Sequence, residues 1–142
     1  MFIKEKYTKS AKLNDLSGSI IFFSNKKFEI KNIQNLLNTS YSNLFKRNLK
    51  NNTKKKEIFS FDISHNQKII IYSINDNNNS FEKNGAKLYE FLKNENPTRT
   101  HIFADTINNS NNLKCIHELV HGMKLKSYSF SKYLTKKNSD VL

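Results

Sequence analysis

Ser19-Ile20-Ile21-Phe22-Phe23 sets four large apolar side chains in succession, all of them residues that favour strands, so neither face of this segment tolerates water. Such a strand belongs inside a sheet with cover above and below. Lys68 to Ile74 repeats the pattern around Ile69-Ile70-Ile71-Tyr72, and His101-Ile102-Phe103-Ala104 reads as a third buried strand ending at Asp105. Phe59, Phe61 and Ile63 alternate instead with Ser60 and Asp62, which predicts a flanking strand with one buried face. Ser64-His65-Asn66 turns that strand back onto Ile69-Ile70-Ile71 as a hairpin. A further first strand is expected over Phe2 to Tyr7.

Helical periodicity fills the intervals. Ser40 is placed to cap a helix over Tyr41 to Leu49, with Tyr41, Leu44, Phe45 and Leu49 on one side. Asn79 and Glu82 have capping-box spacing ahead of a helix from Phe81 to Lys93, and Pro97 marks the break after it. Leu113, Ile116, Val120 and Met123 recur at spacings of three and four with Leu119 beside them, giving an amphipathic helix to about Lys126. Strands and helices alternate, and strands that are apolar on both faces need helices on both sides. The expected fold is therefore α/β, a three-layer αβα sandwich on a mixed sheet.

At 142 residues and 37% apolar content the chain suits one domain with one sheet-centred core. Its 3 Gly and 1 Pro exclude the glycine-cradled phosphate sites, since neither the P-loop nor the dinucleotide fingerprint occurs. The longest apolar runs are far shorter than the roughly 18 residues of a membrane helix. MFIKEKYTKS at the start lacks the apolar core of a secretory signal, and the lone Cys115 has no partner for an internal disulfide. Both features lead to the expectation of a cytoplasmic protein with Cys115 as a structural thiol.

The net charge of +12 invites a nucleic-acid reading. Against it, all but Arg47 and Arg99 of the 24 basic residues are Lys, whereas phosphate and base readers favour the guanidinium fork. Lys and Asn are enriched together with Ile, as A+T-rich codons would produce, and the only tight basic run, Lys54-Lys55-Lys56, lies between expected elements as a solvated loop. A basic nucleic-acid module is accordingly a third-ranked function.

The sharpest catalytic pattern is His117-Glu118-Leu119-Val120-His121, an H-E-x-x-H on an expected helix, which sets two imidazoles one turn apart. In a small zinc metallopeptidase, His117 and His121 would bind the metal and Glu118 would act as general base. The extended form of the motif fails, because Lys124 stands where Gly is needed and no His follows His121. Only Asp140 remains downstream as a carboxylate donor. His117 and His121 share a helical face with Lys114 beside the apolar stripe, so they also read as boundary histidines. His65 in a turn and His101 at a strand start add no ligand spacing.

The helix continues as His121-Gly122-Met123-Lys124-Leu125-Lys126-Ser127-Tyr128-Ser129-Phe130-Ser131-Lys132-Tyr133-Leu134-Thr135-Lys136-Lys137. This segment resembles the end of the amino-terminal domain of the leucyl (cytosol) aminopeptidases, where a small residue before a Leu/Lys-rich turn leads into Tyr-x-Phe-x-x-Tyr-Lys-Thr-Lys-Lys. The order of elements, including the internal Gly85-Ala86 of the second helix, resembles that domain over nearly the whole chain. Leu134 departs from the family, which usually has Lys there.

The resemblance implies a macro-domain-like fold over 1–127, and in 128–142 the start of a linker towards a catalytic domain that this chain lacks. It further implies that the chain alone is not catalytic and holds no catalytic, cofactor or metal residue. The two divalent metal ions would belong to the catalytic domain of a full-length relative, and the partners would be that domain and sister subunits of a homo-hexamer. Some bacterial members of the family also take part in DNA binding. Gly122 would let its helix approach the sheet, and Tyr128, Phe130 and Tyr133 would pin the departing segment by burying their rings.

Overall fold

In the computed structural model, residues 16–25, 27–30, 39–51, 56–74, 80–95, 97, 99–107 and 111–141 are described. Four strands are present among them: β1 (Gly18–Ser24), β2 (Ile58–Ser64), β3 (Gln67–Ser73) and β4 (Thr100–Ile102). Three helices accompany them: α1 (Thr39–Asn51), α2 (Phe81–Glu95) and α3 (Asn112–Val141). The sheet order is β2-β3-β1-β4. β1 pairs in parallel with β3, from Gly18 opposite Gln67 to Ser24 opposite Ser73, and with β4, while β2 and β3 form the antiparallel hairpin. The sheet is therefore mixed, and the two most apolar strands are its central pair.

Alternation along the central strands divides the core into two. Ile21, Phe23, Ile70 and Tyr72 face α2 and α3, where Leu88, Leu92, Ile116 and Leu119 cover them. Ile20, Phe22, Ile69 and Ile71 face the opposite way, onto Phe45 of α1 and the half-buried Phe59, Phe61 and Ile63 of β2. The Phe22 ring lies edge-on to Phe45 at 5.4 Å and stacks on Phe103 at 4.9 Å. Three layers follow from the connections. From β1 the chain passes through α1 and β2 to β3 in one direction, then from β3 through α2 to β4 in the other. Crossovers of one hand running in opposite directions leave their helices on opposite faces.

Several expectations are corrected. β4 is a three-residue edge strand, half-exposed throughout, because the chain tightens into a 3₁₀ turn at Ala104–Thr106 instead of extending to Ala104. Thr106 explains that turn. Its hydroxyl accepts the Phe23 N–H at 3.0 Å and donates to the Phe103 carbonyl at 2.6 Å, satisfying backbone that a longer β4 would have paired. α1 starts at Thr39, so Ser40 lies within the helix and does not precede it. At the start of α2 the Ser80 hydroxyl accepts the Lys83 N–H at 3.4 Å, which leaves the expected cap at Asn79 untouched. The expected strand at Phe2 to Tyr7, the cap at Asn79 and Lys54-Lys55 fall outside the described residues.

One surface tie links the sheet to α2. Lys68 Nζ, at the start of β3, donates to Glu95 Oε2 at 2.6 Å, and this contact holds the Lys68 ammonium above its ordinary range. A lysine whose value is raised on folding contributes stability that is complete at neutral pH and is lost as pH climbs through the raised value. Both groups are partly open to solvent, so Glu95→Gln should cost below about 1 kcal/mol in urea unfolding at pH 7, with the difference from wild type vanishing in strong alkali.

Candidate functional site: the outer face of the last helix

The carboxyl ends of the parallel strands are where open α/β sheets commonly take ligands. Here the chain fills that edge with its own groups. The Thr106 hydroxyl closes the space between β1 and β4, and the Ser24 and Ser73 hydroxyls both donate to the Asn25 carbonyl. The Asn25 side-chain oxygen accepts the Lys27 and Glu29 N–H groups, which folds the connection after β1 onto itself.

Beneath that edge lies a buried polar pair that sequence reading missed. The Tyr72 hydroxyl donates to Asn84 Oδ1 at 3.4 Å, and Asn84 Nδ2 is buried without a hydrogen-bond partner. Burial, with a smaller contribution from Glu57, pushes the Tyr72 phenol well above its ordinary value. An imperfectly satisfied pair costs more when one member is removed than when both become apolar. Tyr72→Phe alone should therefore cost about 1 kcal/mol, and Tyr72→Phe with Asn84→Leu should be neutral or stabilising by thermal unfolding. A double variant less stable than Tyr72→Phe alone would contradict this.

α3 is built on two contrasting faces. Its inner face carries Cys115, Ile116, Leu119 and Met123, all buried against the sheet and α2. Cys115 is in the core as expected, and burial raises its thiol, aided by Glu118 and opposed by Lys114. α2 and α3 meet through their glycines. A Cβ at Gly85 would overlap the Leu119 carbonyl oxygen, and one at Gly122 would overlap that of Glu82. The close approach expected of Gly122 is thus to α2 and not to the sheet. Gly85 and Gly122, each unfavourable in a helix interior, were the available signal for this contact.

The outer face carries Leu113, His117, His121, Leu125 and Tyr128, at spacings of four, four, four and three, and all five are exposed. Leu113 was expected in the inner stripe but is 61% exposed, whereas Ile116, Leu119 and Met123 of that stripe are buried, Val120 is half-buried, and Cys115 takes the inward place at its start. Tyr128 was expected to bury its ring and is 66% exposed. Together with Leu125 at 44%, these are the exposed large apolar side chains among the described residues. The side chains of Phe130 and Tyr133 lie outside the description, although the helix backbone itself runs on to Val141.

His117, Glu118 and His121 occupy this outer face, exposed and one turn apart as the motif requires. Among the described residues no group of three or more His, Cys, Asp or Glu gathers to hold a metal ion. His65 is exposed in the β2–β3 turn, and His101 is in β4 with Nε2 3.0 Å from the Ser17 carbonyl, so the imidazoles outside α3 are dispersed. The Asp140 side chain is outside the description.

Basic charge is distributed over several elements. α1 exposes Lys46, Arg47 and Lys50, Arg99 precedes β4 on the other edge, and on the α2/α3 side lysines alternate with carboxylates. Lys126 pairs with Glu90 at 2.9 Å and Lys87 with Glu57 at 3.7 Å. No helix among the described residues is long and apolar enough to cross a membrane. No family model, curated protein or solved structure matches the chain.

Proposed function

We propose that this chain is a non-catalytic α/β domain similar to the amino-terminal domain of leucyl aminopeptidases, working through contacts with a metal-dependent peptidase domain and with sister subunits of a hexamer. The observation that carries this reading is the division of α3 into a core-facing and an outward apolar face within one unbroken helix. α3 has 30 residues, about 45 Å at 1.5 Å per residue, whereas the seven-residue strands span about 23 Å. A helix twice as long as the sheet it covers has length beyond what its own core needs.

In this reading the two divalent metal ions, and the carboxylate and lysine groups that hold them, belong to the peptidase domain. Positioning is the contribution of this chain. The sheet fixes α3 through Ile116, Leu119 and Met123, and α3 carries the exposed side chains outward. The reading is tested by the DNA that follows the codon for Leu142. A metal-binding peptidase domain encoded there, in frame or after an interruption, is the expected result. An unrelated downstream region would remove its main support.

A further inference from the structure

We propose that Asn84-Gly85 is a chemical ageing site: opening of the first turn of α2 lets the Gly85 main-chain nitrogen attack the Asn84 side-chain amide, and the acid formed with water keeps the turn from closing again.

Asn84-Gly85 is the only Asn-Gly in the chain. Asparagine before glycine is the pair most prone to this reaction, because no Cβ shields the attacking nitrogen. The fold cannot shed the hazard by changing residue 85, since a Cβ there would overlap the Leu119 carbonyl oxygen. Asn84 is itself poorly held. It is 7% exposed, its Oδ1 accepts the Tyr72 hydroxyl at the long distance of 3.4 Å, and its Nδ2, the atom that must leave, is buried without a hydrogen-bond partner. The turn around it is loosely tied as well. The Asn84 N–H meets the Ser80 carbonyl at 3.1 Å, and the Lys83 N–H meets the Ser80 hydroxyl at 3.4 Å. While α2 is closed its backbone holds the Gly85 nitrogen in the helix ladder and away from the Asn84 Cγ. Local opening of a turn held by such bonds removes both obstacles.

In the open turn the Gly85 N–H gives its proton to hydroxide, the bond from nitrogen to Cγ forms, the bond from Cγ to Nδ2 breaks and ammonia leaves. Water then opens the cyclic imide at either carbonyl, leaving aspartate or, with one more methylene in the main chain, isoaspartate. Neither product fits the closed helix. A carboxylate at 84 would be a buried charge opposite the Tyr72 phenol, and the longer main chain of isoaspartate would displace Gly85 from its contact with Leu119.

The test is incubation of the purified full chain at mildly alkaline pH, in buffer and in urea, with peptide mass spectrometry reading acid at residue 84 and Asn84→Gln as the control that does not convert. Conversion in buffer should run about ten- to a hundredfold slower than in urea, the separation set by local opening. Tyr72→Phe, and independently Ser80→Ala, should each speed it about three- to fivefold in buffer and leave the rate in urea unchanged. The acid form, separated by ion exchange, should unfold at a lower urea concentration than the amide form. A wild type still wholly amide in buffer after about a thousand of the half-lives measured in urea would overturn the proposal. Conversion of both variants at the wild-type rate, or an acid form as stable as the amide form, would overturn it equally.

Discussion

Gly122→Ala and Gly85→Ala should each destabilise the protein by about 2–3 kcal/mol, although glycine-to-alanine changes inside helices ordinarily stabilise by up to about 1 kcal/mol. The sign reverses because of what each new methyl group would meet. At Gly85 it is the Leu119 carbonyl and at Gly122 the Glu82 carbonyl, both backbone atoms of the facing helix. A side-chain neighbour could rotate away, but a helix backbone has to move as a body. Separating α2 from α3 would loosen Leu88 and Leu119, both fully buried at present, so the cost spreads into the layer beneath. Urea unfolding monitored by circular dichroism reads the loss directly. Alanine at either site leaving the midpoint unchanged or raised would show that the helices are not in this contact.

Phe22→Ala should cost about 3–5 kcal/mol, a large part of the about 5–15 kcal/mol that stabilises a typical domain. Phe22 is fully buried at the centre of the α1 face, between Phe45 and Phe103, on the central strand of the sheet. The neighbouring rings are themselves fixed, Phe45 by an edge contact with Phe61 at 5.4 Å, so the cavity collapses poorly. The effect also tests the layering, since a third layer of α1 over β1 is what buries this ring. A loss below about 1.5 kcal/mol in denaturant unfolding would mean that α1 does not cover the strand.

The two central strands, the hairpin, the flanking position of β2 and all three helices were legible in the sequence for one reason. Each carries a hydrophobic period long enough to exceed local noise, as in Ile20-Ile21-Phe22-Phe23 and in Phe59, Phe61 and Ile63. β4 was overestimated because Phe103 and Ala104 are apolar enough to extend a strand, and nothing local reveals that the Thr106 hydroxyl will satisfy Phe23 across the sheet. That bond joins residues 83 apart in sequence. Ile116, Leu119 and Met123 turn inward as expected, but the first member of the α3 stripe was misassigned for a related reason. Leu113 and Cys115 fit an apolar stripe about equally well by composition, and only the close approach of α2 at Gly122 decides which one turns inward. The outward arc was invisible for the same cause, because a leucine or tyrosine on a helix reads as core until its neighbours are known. The histidine motif was plain in the sequence, and its exposed position was not.

We propose that α3 is a wall of the core on one side and a contact surface on the other, with His117, Glu118 and His121 in no catalytic role. The most direct test is metal content together with turnover of leucine p-nitroanilide, measured on the purified full chain after incubation with zinc and with manganese and removal of loose ions. The expected result is no stoichiometric metal and no hydrolysis above background. One equivalent of zinc that is lost on His121→Ala, with a peptidase activity abolished by Glu118→Gln, would contradict it.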